Sequence, residues 1–227
     1  MKKNGKMKTA AYILLDRSGS MSNLWEEALG SINGYVKGLP ADSRVVLATF
    51  DSHGHEFYEM IRNTTAGDWE PITNRDAQPR GGTPLFDASA RMMWGILHDN
   101  PDRAVFVTMT DGEENASKHF KQTDIKNLVI DLEKKDYQVV FLGANFDKVG
   151  DTARQYGVDV GTRSFNMARG TMAGSMGQFA AQSTNYMTTG ASIDTSKLNP
   201  NLSGAAAVDF SGVSAVKVTN PTTKTPK

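Results

Sequence analysis

Ala10-Ala-Tyr-Ile-Leu-Leu15, running directly into Asp16-Arg-Ser-Gly-Ser20, is the stretch that decides the fold. An unbroken apolar run of this length reads as a parallel strand buried on both faces. What leaves the strand is a carboxylate and two hydroxyls on a short loop: Asp16, Ser18 and Ser20. Such an all-oxygen set suits a hard divalent cation such as Mg²⁺, and the neutral hydroxyls donate without quenching its charge. Alone, the loop could equally be a turn in which Ser and Asp satisfy free backbone N–H groups.

Two further oxygen donors lie downstream. Thr83 follows Gly81-Gly82, and Asp111 comes just after the apolar run Ala104-Val-Phe-Val-Thr-Met109. Asp16 and Asp111 bring two formal negative charges, and Ser18, Ser20 and Thr83 bring none. Mg²⁺ prefers octahedral oxygen and keeps several waters, so an aspartate binding through water leaves the ion a strong Lewis acid with a position open. A carboxylate from outside the chain is the natural ligand for that position. Gly19, Gly81 and Gly82 carry no side chains to obstruct it. Thr83 also reads as a helix N-cap before Pro84, and Asp111-Gly112 as a turn.

Strands and helices alternate on either side of these positions. Asn23 and Glu26 have capping-box spacing, and Leu24, Ala28, Ile32, Val36 and Leu39 line one helical face until Gly38-Leu-Pro40. Arg44–Phe50 is a second strand and Glu56–Ile61 a third. The intervening link, Asp51–His55, is too short for a crossover and predicts an antiparallel hairpin at the sheet edge. Asn63 to Arg80 reads as a long surface loop, Leu85 to His98 as a helix, and Ala104–Met109 as a fourth strand. Thr123 caps a helix carrying Ile125, Leu128, Val129 and Leu132; Gln138–Leu142 is a fifth strand; Phe146 to Tyr156 is a helix, with a weak strand near Val158–Val160. Met167 to Met187 is rich in Gly, Ala, Met and Ser, with mixed helix propensity. This alternation predicts an α/β fold, a doubly wound and mostly parallel central sheet with one antiparallel edge strand and helices on both faces. Ligand sites in such sheets lie beyond the carboxyl ends of the strands, where Asp16, Thr83 and Asp111 converge.

The chain has 227 residues, no cysteine and zero formal net charge. That length suits one domain plus tails: a basic segment at 1–8, the domain at 9–190, and a flexible low-complexity tail at 191–227. The charge balance points away from nucleic acid and anionic membrane surfaces. Lack of cysteine excludes disulfides and thiolate chemistry and fits a reducing compartment. No signal sequence or bilayer-spanning run is legible, so a cytoplasmic location is expected.

Side features carry blander readings. His53 and His55 lack a third ligand at metal spacing and read as a hairpin turn. Met167, Met172, Met176 and Met187 suit core filling, with an adaptable binding surface as the alternative. Trp69 could pack its loop down or touch a partner, and Arg17 reads as outward-facing.

The motif Asp16-x-Ser18-x-Ser20, then Thr83 within Gly-Gly-Thr-Pro-Leu-Phe-Asp87, then Asp111 within Val-Thr-Met-Thr-Asp-Gly-Glu113, resembles the von Willebrand factor A (VWA) family. The resemblance spans 9–165, includes every position of that family's metal-ion-dependent adhesion site (MIDAS), and looks like the intracellular bacterial and phage branch, as Thr110-Asp-Gly-Glu-Glu-Asn115 suggests. It implies that Ser18 and Ser20 coordinate Mg²⁺ (or Mn²⁺) directly, that Thr83 joins in the ligand-bound state, and that Asp16 and Asp111 hold waters. A protein partner's Glu or Asp completes the shell. By position, the family's C-terminal helix falls on Gly170–Tyr186.

The expected function is a non-catalytic, metal-dependent protein–protein interaction module. One alternative is a Mg²⁺-dependent phosphohydrolase using the same strand-end aspartates. It lacks a Gly-x-x-x-x-Gly-Lys-Ser/Thr loop, and no basic clamp is evident. Another is a VWA subunit of an AAA-ATPase-type or phage–host assembly. Partner identity and oligomeric state are not encoded in any motif.

Overall fold

The computed structural model describes residues 7–54 and 57–201. His55, Glu56, residues 1–6 and residues 202–227 lie outside the described residues, and with them most of the basic N-terminal segment and most of the C-terminal tail.

Six strands form one sheet in the order β3-β2-β1-β4-β5-β6, comprising β1 (Thr9–Asp16), β2 (Arg44–Phe50), β3 (Tyr58–Thr65), β4 (Arg103–Thr110), β5 (Gln138–Ala144) and β6 (Ser164–Met167). Every pairing is parallel except β2–β3, the antiparallel edge that the short link after Phe50 requires. β1 and β4 are central, and both are almost wholly buried, which is why their sequences are continuously apolar rather than alternating.

Period-two geometry sends alternate residues of β1 to opposite cores. Ala11, Ile13 and Leu15 pack with α1 (Trp25–Lys37) and α6 (Met172–Thr189). Ala10, Tyr12 and Leu14 pack with α2 (Leu85–Asp99), α3 (Gln122–Glu133) and α4 (Val149–Tyr156). Helices therefore cover both faces, as the alternation of elements predicts. No helix among the described residues is long and apolar enough to cross a membrane.

Several local expectations are corrected. A 3₁₀ turn at Gly19–Asn23 precedes α1, so the Asn23–Glu26 capping box does not form; Glu26 instead accepts a hydrogen bond from the Asn74 side chain. Pro84, not Thr83, holds the N-cap position of α2, and Lys121, not Thr123, that of α3. The last strand is Ser164–Met167, not Val158–Val160. Asp159 accepts the Gly161 N–H and starts the short helix α5 (Val160–Arg163) in its place.

The 63–80 segment is less loop-like than its composition suggests. β3 extends to Thr65, and the remainder is tied along α1. Asn33 pairs with the Ile72 backbone and with the Trp69 indole, and the Trp25 indole donates to the Ala77 carbonyl. Trp69 is thus used for packing.

The Met-rich run becomes α6, an 18-residue helix whose Met172, Met176, Phe179, Tyr186 and Met187 are buried. Met167 is buried too, so the four methionines fill core. Gly38 permits the close approach of α1 and α6, since a Cβ there would lie 2.8 Å from Ala180 Cβ. Residues 191–201, read as the start of a flexible tail, instead pack down. Ile193 and Leu198 are buried, and Gln182 and Gln178 of α6 bond the backbone of Asp194 and Asn199.

Candidate metal centre

The parallel register places the ends of β1 and β4 side by side, with Leu15 opposite Met109, so Asp16 and Thr110 leave the sheet together. Asp16 is fully buried. Its Oδ1 accepts the Ser18 N–H at 2.7 Å and its Oδ2 accepts the Thr110 hydroxyl at 2.6 Å. Thr110 Oγ1 in turn accepts the Gly112 N–H at 3.1 Å, fixing the turn that carries Asp111.

From Ser18 the donors run outward. Ser18 Oγ and Ser20 Oγ are 3.0 Å apart, and Ser20 Oγ donates to Asp111 Oδ1 at 2.8 Å. Ser18 is buried while Ser20 is exposed, so the chain of oxygens climbs from the sheet to the surface. Thr83 is buried beside them, its Oγ1 3.8 Å from where a Cβ on Gly112 would sit. The structure thus gathers Asp16, Ser18, Ser20, Thr83 and Asp111 at one sheet edge.

Glycine holds these loops close. Gly19 N–H donates to the Gly81 carbonyl at 3.0 Å, and Gly82 is joined to Ser52 through both its N–H and its carbonyl. Gly81 has φ +68°, and a Cβ on it would lie 2.9 Å from His53 N, so any other residue there is strained.

Charge at this edge is unbalanced. Burial pushes the Asp16 carboxyl from 3.8 up to about 7, hydrogen bonds from Thr110 and Ser18 pull it back, and the Asp111 charge adds to the rise. Burial also raises Asp111, against the hydrogen bond from Ser20. Among the described residues no cationic side chain forms an ion pair with Asp16 or Asp111. Two carboxylates without a cation, ringed by hydroxyls, are a donor set that a hard divalent ion fits. Among the described residues no group of three or more His, Cys, Asp or Glu could hold a metal, so the candidate centre depends on its hydroxyls.

Neighbouring charges face elsewhere. Arg17, read from sequence as outward-facing, is buried. Its Nε donates to Asp51 Oδ2 at 2.5 Å and its Nη1 to Glu59 at 2.7 Å, bracing β1 against β2 and β3. Glu113 pairs with Lys148, and Glu114 accepts N–H groups from its own loop. Neither adds a third carboxylate to the set. Sequence reasoning missed Thr110, although its place as the last residue of β4, beside Asp16, could have marked it.

No protein-family model and no curated protein matches the chain. Solved structures do. A von Willebrand factor type A protein from Catenulispora acidiphila aligns with TM-score 0.58 and 13% identity over 79% of this chain and 43% of its own. The PilB minor pilin from Streptococcus sanguinis gives 0.58 and 11% over 81% and 63%, so this chain spans less than two thirds of either protein. The SpRpn10 VWA domain gives 0.53 and 11% over 74% and 93%. At such identities the likeness speaks for architecture alone, and the chain has the fold of von Willebrand factor A domains.

Proposed function

We propose that this protein is a non-catalytic protein-interaction module that binds Mg²⁺, or Mn²⁺, at a MIDAS-type centre and captures a partner's Glu or Asp side chain on the ion. The observation that carries the reading is the linked series Asp16–Ser18–Ser20–Asp111, in which a buried carboxylate accepts the Ser18 N–H and the two serine hydroxyls then lead to a half-exposed second carboxylate. Ser18, Ser20 and Thr83 would supply neutral oxygens, and Asp16 and Asp111 the charge. When bound, the ion supplies a Lewis-acidic position for an incoming carboxylate. What the chain itself does is hold Asp16 through Thr110 and Ser18, and draw the loops around the site together at Gly19, Gly81 and Gly82, the last two being positions where a side chain would collide with a neighbouring loop.

The phosphohydrolase alternative gains nothing from this geometry. Arg17, the basic residue nearest Asp16 in sequence, is engaged with Asp51 and Glu59. The test is partner capture from lysate on immobilised protein in Mg²⁺, in EDTA, and with Ser18→Ala. Capture lost in EDTA and in the variant supports the module. Capture indifferent to both contradicts it.

A further inference from the structure

We infer that Asn115, Glu114 and Asp87 are positioning residues. They form a reciprocal clamp between the start of α2 and the β4–α3 loop, which holds Thr83 and Asp111 in register before any ion arrives. This inference rests on the metal reading of the site.

Thr83 and Asp111 lie on separate loops, and metal geometry tolerates only about ±0.2 Å in ligand distance. Loops ordered only upon binding would weaken affinity by the entropy of ordering them. Here the ordering is built in. Asn115 seizes Thr83 by both backbone groups: its Oδ1 accepts the Thr83 N–H at 2.9 Å, and its own N–H donates to the Thr83 carbonyl at 3.1 Å. Gly82 makes room for this grip, because a Cβ there would lie 2.9 Å from Asn115 Oδ1.

The two carboxylates then exchange places across the junction. Glu114, on the loop, reaches to α2 and accepts the Phe86 N–H at 2.8 Å, while also taking the Ala116 and Ser117 N–H groups. Asp87, in the first turn of α2, reaches to the loop and accepts the N–H groups of Lys118, His119 and Phe120 at 2.8–3.0 Å. Asp87 is buried, so the loss of any of these donors leaves a desolvated carboxylate. Ser117 Oγ closes the ring, donating to Glu114 Oε2 and accepting the Asp87 N–H. The outer letters of Gly-Gly-Thr-Pro-Leu-Phe-Asp87 and Thr-Asp-Gly-Glu-Glu-Asn115 thereby acquire a role: each motif brings one candidate ligand and the parts that lock it to the other.

The test is a double-mutant cycle on the metal-stripped, full-length protein. Mg²⁺ is titrated calorimetrically in acetate buffer, which supplies a carboxylate, for wild type, Asn115→Ala, Thr83→Ala and the double variant. Asn115→Ala should weaken Mg²⁺ binding about tenfold, as loss of a ligand-orienting partner does. In the Thr83→Ala background it should add less than about twofold, because it acts through Thr83. A Kd unchanged by Asn115→Ala, or a loss that persists in full without Thr83, overturns the clamp and leaves the metal reading standing. Wild type that does not bind Mg²⁺ removes both. Amide hydrogen exchange on the metal-free wild type needs no variant: Thr83, Phe86 and Phe120 should be protected, and free exchange at these amides also overturns the inference.

Discussion

Thr110 Oγ1 donates to Asp16 Oδ2 at 2.6 Å and accepts the Gly112 N–H at 3.1 Å, so one hydroxyl ties the end of β1 to the turn that carries Asp111. Thr110→Val keeps the shape and removes both bonds, leaving a buried carboxylate short of a donor. Chemical denaturation of the metal-free variant should show a loss of about 1–3 kcal/mol. Mg²⁺ affinity should fall about 10- to 100-fold. Thr110→Ser keeps the hydroxyl and should restore most of both.

Stability should depend on pH in the direction opposite to that of a salt-bridged aspartate. Burial raises the Asp16 carboxyl from 3.8 to about 7, so between those values the metal-free folded state holds more protons than the unfolded chain. Its stability is therefore highest below pH 4 as far as this group is concerned, and it declines as pH climbs to about 7, by up to about 4 kcal/mol. Asp111, also raised, acts in the same sense. Urea midpoints measured from pH 4 to 8 should show this contribution shrink in Asp16→Asn and in saturating Mg²⁺, which favours the ionised form.

Arg17 offers a control that separates folding from binding. Its guanidinium meets the fully buried Asp51 at 2.5 Å, with Arg80 Nε more distant at 3.3 Å. Arg17→Ala leaves the buried Asp51 with only the more distant Arg80 and the His53 N–H, and should cost up to about 3 kcal/mol in unfolding free energy. Arg17→Lys cannot bridge Asp51 and Glu59 with one planar fork, and it should recover only part of that loss. A melting curve unchanged in Arg17→Ala would refute the assignment of Arg17 to scaffolding.

The segment after α6 should behave as part of the domain. Truncation after residue 190 removes the buried Ile193 and Leu198 together with the bonds from Gln178 and Gln182. It should lower stability by several kcal/mol relative to truncation after residue 201, at about 1.5–3 kcal/mol for each buried aliphatic side chain. Equal melting temperatures for the two truncations would contradict that packing.

The sheet was legible because β1 and β4 are buried on both faces and so carry unbroken apolar runs, and because Asp51–His55 is too short for a crossover. The candidate ligands were legible because Asp16 and Asp111 close those same runs. α6 was legible only through the resemblance, which places a helix at Gly170–Tyr186 where Met172–Thr189 forms one; its propensity is mixed because of Gly174 and Gly177, and its stability comes from packing on α1. β6 was misplaced because Asp159 and Gly161 favour a capped turn over a strand at Val158–Val160, a competition settled by side-chain bonding to the backbone. Arg17 was misjudged because its partners, Asp51 and Glu59, are remote in sequence and meet it only through strand pairing.

The most direct measurement is a calorimetric titration of metal-stripped protein with Mg²⁺ and Mn²⁺, alongside the Ser18→Ala, Ser20→Ala double variant. Saturable binding by the wild type that disappears in the variant is the expected result. Binding that survives loss of both hydroxyls, or a wild type that takes up neither ion even with acetate present, would contradict it.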